Sequence, residues 1–393
     1  MVRCNVHLSG RKNSGFLADV AHRGSSVSQP QDVGAGWKIE IDLFGILSFE
    51  NGQMFEVKTR EGDFVETFED LFFDVKGLVH PPDRIVAFIR YFPDEEGERK
   101  KSGRAYGKVY SFAERYKLLK RKYPGYVVHD EVFDETLCEV PEDDVKKHYD
   151  PIEGLSQLRA RKDLDSLESK TLRLVKKLWE RSKIPWSAIG ISGSILVGLK
   201  KHGSDIDLII YGSDNCRRVY LCLQELLKEP RSLFKPYSLD ELKSLFDFRS
   251  KDTAISFGNF VRTESKKAFQ GKFMNTDYFI RFVKDWNEID EKYGDIQYKN
   301  LGQARIKGII SEDSESIFTP CKYMLKNTTV IDGLKSVTIT EIDSFRGRFC
   351  EQAKTGETIV AQGKIEKVTD RRTNRTHFRL LIGNSPSDHM ILI

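Results

Sequence analysis

The stretch from Gly190 to Gly212, GISGSILVGLKKHGSDIDLIIYG, constrains the fold more than any other part of this sequence. It places two aspartates, Asp205 and Asp207, two positions apart at the start of an apolar run. In a β-strand, residues at positions i and i+2 project from the same face. The pattern therefore predicts a buried strand with two carboxylates side by side on one surface.

Two neighbouring carboxylates repel each other, so one of them stays protonated unless a cation lies between them. The hard cations Mg²⁺ and Mn²⁺ prefer oxygen ligands of this kind. Upstream, Gly193 and Ser194 stand where AIGISGS ends as a predicted strand and ILVGLKKHG begins as a short helix. A glycine there lets a phosphate approach the backbone N–H groups and the positive end of the helix dipole. A nucleoside triphosphate (NTP) with a divalent metal fits both halves of this pattern.

Four further residues extend the candidate site. Asp277 opens the apolar run TDYFIRFV, and a third carboxylate would serve a metal that activates an attacking hydroxyl. Arg281 lies on the same predicted strand face as Asp277 and is a candidate phosphate contact. Lys200 and Lys201 follow the predicted helix and are also candidates, although exposed lysines are commonly solvated. The structural alternative for the whole pattern is a Gly-Ser turn before an exposed edge strand.

A Gly-Ser pair, an Asp-x-Asp about ten residues later in an apolar strand, and a single aspartate in a later strand resemble the DNA polymerase beta-like nucleotidyltransferase superfamily. Within it, the chain is most similar to uncharacterised archaeal predicted nucleotidyltransferases. The resemblance covers roughly residues 182–284, about a quarter of the chain. It implies phosphate gripping by Gly193 and Ser194, and metal binding by Asp205, Asp207 and Asp277.

The expected reaction is transfer of a nucleoside monophosphate from an NTP such as ATP to a hydroxyl acceptor, with release of pyrophosphate. The expected cofactors are two Mg²⁺ or Mn²⁺ ions. The favoured acceptor is a nucleic-acid 3′ hydroxyl, with RNA, including tRNA, favoured over DNA. The alternatives are nucleotidylation of a protein or a small molecule, and a non-catalytic nucleic-acid-binding protein on the same scaffold.

Two segments mix basic with aromatic residues, a composition that suits phosphates and stacked bases. ERKKSGRAYGKVYSFAERYKLLKRKYPGY precedes the candidate site, and KVTDRRTNRTHFR lies near the C-terminal end. The alternatives are an ordinary solvated helix face and hairpin surface. The candidate nucleic-acid contacts are Lys117, Lys120, Arg121, Arg371, Arg372 and Arg375.

The sequence predicts an α+β multidomain protein, in which a polymerase beta-like α/β layer stands between an N-terminal α+β domain and a small C-terminal β-barrel. Asn51 and Gly52 predict a hairpin turn, and His80-Pro81-Pro82 separate two further strands. The expected segments are a poorly ordered extension at 1–36, the N-terminal domain at 37–150, the catalytic domain at 151–293, a helical or loop connector at 294–335, and an OB-like or similar small barrel at 336–393.

Composition narrows the class of protein. Of the 393 residues, 39% are hydrophobic and 31% are charged. No run of about eighteen apolar residues predicts a membrane span, so we expect no membrane partner. The net charge of +4 is small, so any nucleic-acid surface must come from local clusters. The six cysteines are scattered without zinc-ligand spacing, which predicts free thiols in a reducing cytoplasm.

Overall fold

Three β-sheets follow one another along the part of the chain that the structure describes. The computed structural model describes residues 58–393, and in this range it has seven α-helices and an α+β fold, as expected. The predicted extension at 1–36 and the hairpin at Asn51 and Gly52 lie outside the described residues.

The first sheet has eight strands and one helix packed beside them. In chain order these are β1 (Phe64–Thr67), β2 (Phe72–Val75), β3 (Arg84–Pro93), β4 (Arg99–Lys101), β5 (Arg104–Lys108), α1 (Phe112–Lys122), β6 (Val127–Asp130), β7 (Glu135–Pro141) and β8 (Val145–Tyr149). Six strands pair in the order β4-β5-β3-β2-β1-β8, and β7 joins both β3 and β6. The residues His80-Pro81-Pro82 fall between β2 and β3, so the prediction of two strands separated there is confirmed.

The middle region carries the predicted site. It contains α2 (Pro151–Ala160), α3 (Ser166–Ser182), β9 (Ile189–Ile191), α4 (Gly193–Leu196), β10 (Ile206–Tyr211), α5 (Ser213–Leu226), β11 (Phe234–Lys235), α6 (Leu239–Arg249), α7 (Phe257–Glu264), β12 (Gln270–Phe273) and β13 (Thr276–Val283). The sheet order is β11-β12-β13-β10-β9. Strands β10 and β13 are parallel, and the other neighbours are antiparallel.

Local sequence explains where the helices of this region begin. Asp165 caps α3, because its carboxylate accepts the Glu168 N–H at 2.9 Å while the Glu168 carboxylate accepts the Asp165 N–H at 3.1 Å. This capping box starts α3 as a separate helix, with five residues between it and the end of α2 at Ala160. Helix α4 begins at Gly193 itself, earlier than predicted, and is only four residues long.

The third sheet closes on itself. Its strands are β14 (Ile296–Glu312), β15 (Cys321–Asp332), β16 (Glu341–Ser344), β17 (Thr358–Asp370), β18 (Arg375–Leu381) and β19 (His389–Leu392). Because β14 pairs with both β15 and β17, the strands β14-β15-β16-β18-β17 form a ring, and β19 adds to β17. Strands β16 and β18 are parallel. A ring of this kind agrees with the expectation of a small barrel.

The prediction of a helical or loop connector at 294–335 is wrong. The residues 296–312 and 321–332 are the long strands β14 and β15, which supply two of the five strands of the ring. Side chains of β14 alternate between buried and exposed from Ala304 to Ile310. The glycines Gly302 and Gly308 dilute this alternation in the sequence, so the pattern does not stand out as a strand.

Hydrophobic packing places the site at a junction. One continuous core runs from α3 through the middle sheet into the ring, and it includes Leu174, Leu208 and Ile365. The first sheet has its own core. A smaller cluster packs Tyr91 of the first sheet against Leu199, just after α4. The loop that precedes the two aspartates is therefore held against the first sheet.

Candidate functional site

Strand β10 presents the two predicted aspartates at the edge of a cleft. Its residues Ile206 and Leu208 are buried in the core, so Asp207 and the preceding Asp205 lie on the opposite side of the chain. Strand β13 runs parallel beside it, with Phe279 level with Asp207. The sequence prediction that the carboxylates share one surface agrees with this arrangement.

The two carboxylates stand without a direct partner in the described part of the chain. Among residues 58–393, Asp205 and Asp207 have no hydrogen-bond or ion-pair partner for their side chains. Burial, together with the charge of Asp205, raises the pKa of Asp207 to about 7, although Lys108 and Arg281 act in the opposite direction. Two such carboxylates, one of them hard to ionise, are suited to bind a cation.

The backbone before α4 packs directly on this pair. Gly193 has a φ of +61°, and a β-carbon there would stand 2.0 Å from Oδ2 of Asp207. The Ser192 N–H donates to the Asp207 carbonyl at 2.9 Å, and the Ser192 hydroxyl donates to the Gly62 carbonyl at 2.7 Å. A glycine at position 193 is therefore needed to leave room for the Asp207 carboxylate. This reason is separate from the predicted contact with phosphate.

The cleft in front of the aspartates has a volume of about 620 Å³. We call it the carboxylate cleft; Ser192, Gly193, Asp205 and Asp207 line one wall. The other walls come from the first sheet, from helix α1, from the segment around α6 and from residues 345–348. Nine basic and six acidic side chains line it, so it carries an excess of positive charge. That excess favours an anionic ligand.

Three of these cations are held by a buried pair of acids. Lys76 lies 2.9 Å from Glu61 and from Asp74, and Arg90 lies 2.7 Å from Asp74. Arg281, the predicted phosphate contact, lines the cleft and lies 2.7 Å from Glu61 and 3.4 Å from Asp74. These carboxylates raise the pKa of Arg281 above its usual range, so it remains a fixed positive charge beside Asp207.

Four other cations of the carboxylate cleft have no carboxylate partner in the described part of the chain: Lys108, Arg115, Lys251 and Arg348. Arg115 is only 6% exposed and its Nε has no hydrogen-bond partner, and burial lowers its pKa to about 9. Arg348 donates only to uncharged oxygens, the carbonyl of Arg249 at 3.2 Å and the hydroxyl of Thr253 at 2.9 Å. A buried guanidinium without a counter-ion, as at Arg115, is costly, and together with the three further unpaired cations it indicates a site for an anion.

Two exposed aromatic side chains also line the carboxylate cleft. Tyr110, which follows β5, and Phe248 of α6 are 41% and 48% exposed. Their ring centroids lie 5.3 Å apart at an interplanar angle of 86°. Exposed rings at a cleft of this size offer a surface on which a flat heterocycle can stack.

Three residues that the sequence predicts to bind phosphate do not serve the carboxylate cleft. Ser194 is 3% exposed, its hydroxyl has no hydrogen-bond partner, and it does not line the carboxylate cleft. Lys200 pairs with Asp165 and Glu168, and Lys201 pairs with Glu98. These lysines are therefore neutralised by acids that lie far away in the sequence.

Asp277 is held outside the carboxylate cleft. Its Oδ2 lies 3.0 Å from Lys272, and its side chain is 47% exposed. Over residues 58–393, no three His, Cys, Asp or Glu side chains lie together in an arrangement that could hold a metal ion. A Mg²⁺ ion commonly takes one or two carboxylates and completes its coordination with phosphate and water. Asp205 and Asp207 therefore fit an ion that arrives with a nucleotide.

The candidate nucleic-acid contacts form two exposed groups. One lies on α1 and the other lies at the turn between β17 and β18. Arg371 donates to the Gln297 side chain at 2.7 Å, and Arg372 lies 3.3 Å from Asp370. All six side chains, Lys117, Lys120, Arg121, Arg371, Arg372 and Arg375, are exposed.

No helix in residues 58–393 is both long and apolar enough to cross a membrane. No model of a known protein family matches the chain, and no solved structure matches it. An archaeal protein is similar along most of its length: "Uncharacterized protein MJ1086" of Methanocaldococcus jannaschii is 33% identical over 337 residues, which are 84% of this chain and 96% of the relative. At that identity and coverage, the chain belongs to the same protein family as this archaeal protein.

Proposed function

We propose that this chain is a metal-dependent nucleotidyltransferase of the DNA polymerase beta-like superfamily. The observation that carries the proposal is the pair of partnerless carboxylates, Asp205 and Asp207, in a cleft with an excess of positive charge. The acceptor hydroxyl oxygen forms a bond to the α-phosphorus of an NTP, the bond to the bridging oxygen breaks, and pyrophosphate leaves. The acceptor proton passes to solvent.

The triphosphate in this proposal is bound by the side chains that lack a counter-ion. Arg115, Arg348 and Lys108 supply the charge-assisted hydrogen bonds, and an arginine can bind a phosphate through two N–H groups at once. The nucleobase stacks on Tyr110 or Phe248. These roles account for the presence of unpaired cations and exposed aromatic rings in the same cleft.

The proposed cofactor is Mg²⁺ or Mn²⁺, held by Asp205 and Asp207. When bound, such an ion neutralises charge that develops on the transferring phosphoryl group. Gly193 keeps the Asp207 carboxylate in place, and Arg281 offsets its charge. The sequence prediction of Asp277 as a third ligand for a second ion would require it to leave its contact with Lys272.

The proposed acceptor is the 3′ hydroxyl of a nucleic acid, with RNA favoured. The ring of five strands in the third sheet is the architecture of small barrels such as the OB-fold, whose loop between the fourth and fifth strands takes part in oligonucleotide binding. The fourth and fifth strands of the ring in chain order are β17 and β18, and the turn between them carries Arg371 and Arg372. A cytoplasmic location, which the cysteines predict, belongs to the same proposal.

A small-molecule acceptor is the second candidate, because a separate chamber, lined in part by Phe133 and Phe318, adjoins the carboxylate cleft. A non-catalytic scaffold is less well supported. Such a scaffold would have no use for two carboxylates that repel each other without a counter-ion.

The test is incubation of the purified protein with each α-labelled NTP and Mg²⁺ or Mn²⁺, with tRNA, single-stranded oligonucleotides, protein and small hydroxyl compounds as acceptors. We expect label to enter one acceptor class, with release of pyrophosphate. The matched control is the Asp205→Asn, Asp207→Asn double variant, which should label nothing. Equal labelling by that variant, or no transfer to any acceptor, would contradict the proposal.

A further inference from the structure

A second cavity, of about 460 Å³, lies between the first sheet and the ring. We call it the acidic chamber; its apolar walls include Phe88, Phe133, Phe318 and Leu381. The volume falls in the range of about 300–1,000 Å³ that is usual for sites of small organic ligands. The acidic chamber therefore has both the size and the apolar surface of a ligand site.

The charge of the acidic chamber is opposite to that of the carboxylate cleft. Seven acidic and five basic side chains line it. Every one of the five cations has a carboxylate partner within 2.9 Å: Lys76 with Glu61 and Asp74, Lys284 with Glu315, Lys322 with Glu341, Lys364 with Glu366, and Arg379 with Asp343 and Glu366. The chamber thus offers no free cation to an anionic ligand.

Free acceptors are present instead. Among the described residues, the half-buried carboxylate of Glu291 has neither a hydrogen bond nor an ion pair, and the hydroxyl of Tyr298 has no partner. Asp343 is 5% exposed, and its Oδ1 is buried without a partner. All three residues line the chamber. An unpaired carboxylate in a chamber that also holds a free hydroxyl oxygen is suited to bind a protonated amine, which has three donors.

The acidic chamber adjoins the carboxylate cleft. Lys76, Phe88, Thr319 and Phe345 line both cavities. A molecule in the chamber is therefore next to the cavity that Asp205 and Asp207 line. This is the position that an acceptor of the transferred group would need.

We propose that the acidic chamber binds a small molecule with an apolar or aromatic body and a protonated amine, and that Glu291 is the counter-ion of the amine. The apolar walls bury the body, and the Tyr298 hydroxyl oxygen accepts a further hydrogen bond. The further role of this molecule as the hydroxyl acceptor rests on the proposed function, whereas its binding does not.

The probe is tyramine, an aromatic amine, and its counterpart is 3-(4-hydroxyphenyl)propionate, which has the same ring and a carboxylate in place of the amine. Binding to the full chain is measured by calorimetry and by ligand-observed NMR without any nucleotide. We expect tyramine to bind about tenfold more tightly than the propionate, or better. Glu291→Gln should weaken tyramine by about tenfold and leave the propionate unchanged or tighter.

Two controls separate this site from its surroundings. Glu225→Gln makes the same change at an acid of α5 that is 72% exposed and does not line the chamber, and it should leave tyramine binding unchanged. Val79→Trp narrows the chamber and should abolish tyramine binding while nucleotide binding in the carboxylate cleft persists. The Asp205→Asn, Asp207→Asn variant should bind tyramine normally, so failure of nucleotidyl transfer and failure of this inference are distinguishable. Absence of tyramine binding at millimolar concentration, equal affinity for the propionate, or full affinity in Glu291→Gln overturns the inference.

Discussion

Gly193 lies so close to Asp207 that a β-carbon at position 193 would stand 2.0 Å from the carboxylate oxygen Oδ2. The contact joins the start of α4 to the candidate site on β10, and the hydrogen bond from Ser192 to the Asp207 backbone fixes the approach. Gly193, which the sequence predicts to bind phosphate, therefore also determines where the carboxylate stands.

Replacement of Gly193 by alanine should disable the site beyond its effect on stability. The new methyl group collides with Asp207, and the φ of +61° strains any residue with a side chain. We expect a stability loss of about 1–2 kcal/mol from the backbone alone, and loss of metal-dependent NTP binding measured by calorimetry. The matched control is Gly198→Ala, because Gly198 has a φ of +71° but a β-carbon there would meet no atom within 4 Å. Equal NTP affinity of the two variants would show that the contact between Gly193 and Asp207 does not determine NTP binding.

Replacement of Asp207 by asparagine should abolish transfer and raise the melting temperature of the protein in a metal chelator. The reason is that a partnerless buried carboxylate next to Asp205 destabilises the metal-free fold. Label transfer and thermal unfolding are measured on the same preparation. A lower melting temperature would show that the carboxylate supports the fold, contrary to the absence of any partner in residues 58–393.

Asp277→Asn distinguishes two arrangements of the site. Because Asp277 is half-exposed and pairs with Lys272, we expect the variant to retain transfer within about tenfold of the parent. A loss as complete as that of Asp207→Asn would show that Asp277 turns into the cleft and serves as the third carboxylate. Transfer rates at saturating NTP give the comparison.

Arg115→Gln should weaken NTP binding by about 10- to 100-fold, the usual effect of one charge-assisted hydrogen bond. It should also stabilise the protein without ligand, because a buried guanidinium without a counter-ion is removed. The matched control is Arg121→Gln, an exposed residue on the same helix, whose NTP affinity should equal that of the parent. Equal affinities of the two variants would remove Arg115 from the site.

The strand pattern of the site was predictable because it is local. The apolar run after Asp205 predicts β10, and the apolar run that Asp277 opens predicts β13. Whether Lys200, in the loop after α4, is free or neutralised depends on Glu168 of α3, and the sequence does not show that pairing. The same is true of Asp277 and Lys272, whose contact depends on the pairing of β12 with β13.

The cations of the carboxylate cleft were missed because they come from three regions of the chain. One signal was present: Arg115 stands four residues before Leu119, so both lie on the buried face of α1, while Lys117 and Arg121 lie on the exposed face. An arginine on the apolar face of a helix needs an unusual partner. Basic content alone pointed to the exposed residues of the same helix.

Substitution of the exposed cations tests whether the acceptor is a nucleic acid. Alanine at Arg371, Arg372 and Arg375, or at Lys117, Lys120 and Arg121, removes up to three phosphate contacts per set. Each lost contact should flatten the plot of log affinity against log salt concentration by about 0.7–0.9. NTP affinity should not change, because none of the six residues lines the carboxylate cleft. If RNA and DNA bind both triple variants with the slope of the parent, the acceptor is a protein or a small molecule.

His80 should make the fold sensitive to acid. The Val86 N–H donates to Nδ1 of His80 at 3.2 Å, so Nδ1 is unprotonated and Nε2 donates to the Thr59 carbonyl at 3.0 Å. Burial lowers the pKa of His80 to about 4, so between about pH 6.5 and pH 4 the unfolded chain binds a proton that the folded chain does not. The free energy of unfolding should therefore fall as the pH falls through this window. The loss of unfolding free energy is on the order of 2 kcal/mol, less than the full pKa shift implies, because His80 is partly exposed.

Urea unfolding of the parent and of His80→Gln isolates this effect, since every other titrating group is common to both proteins. Parallel plots of unfolding free energy against pH for the two proteins would show that the fold does not lower the pKa of His80.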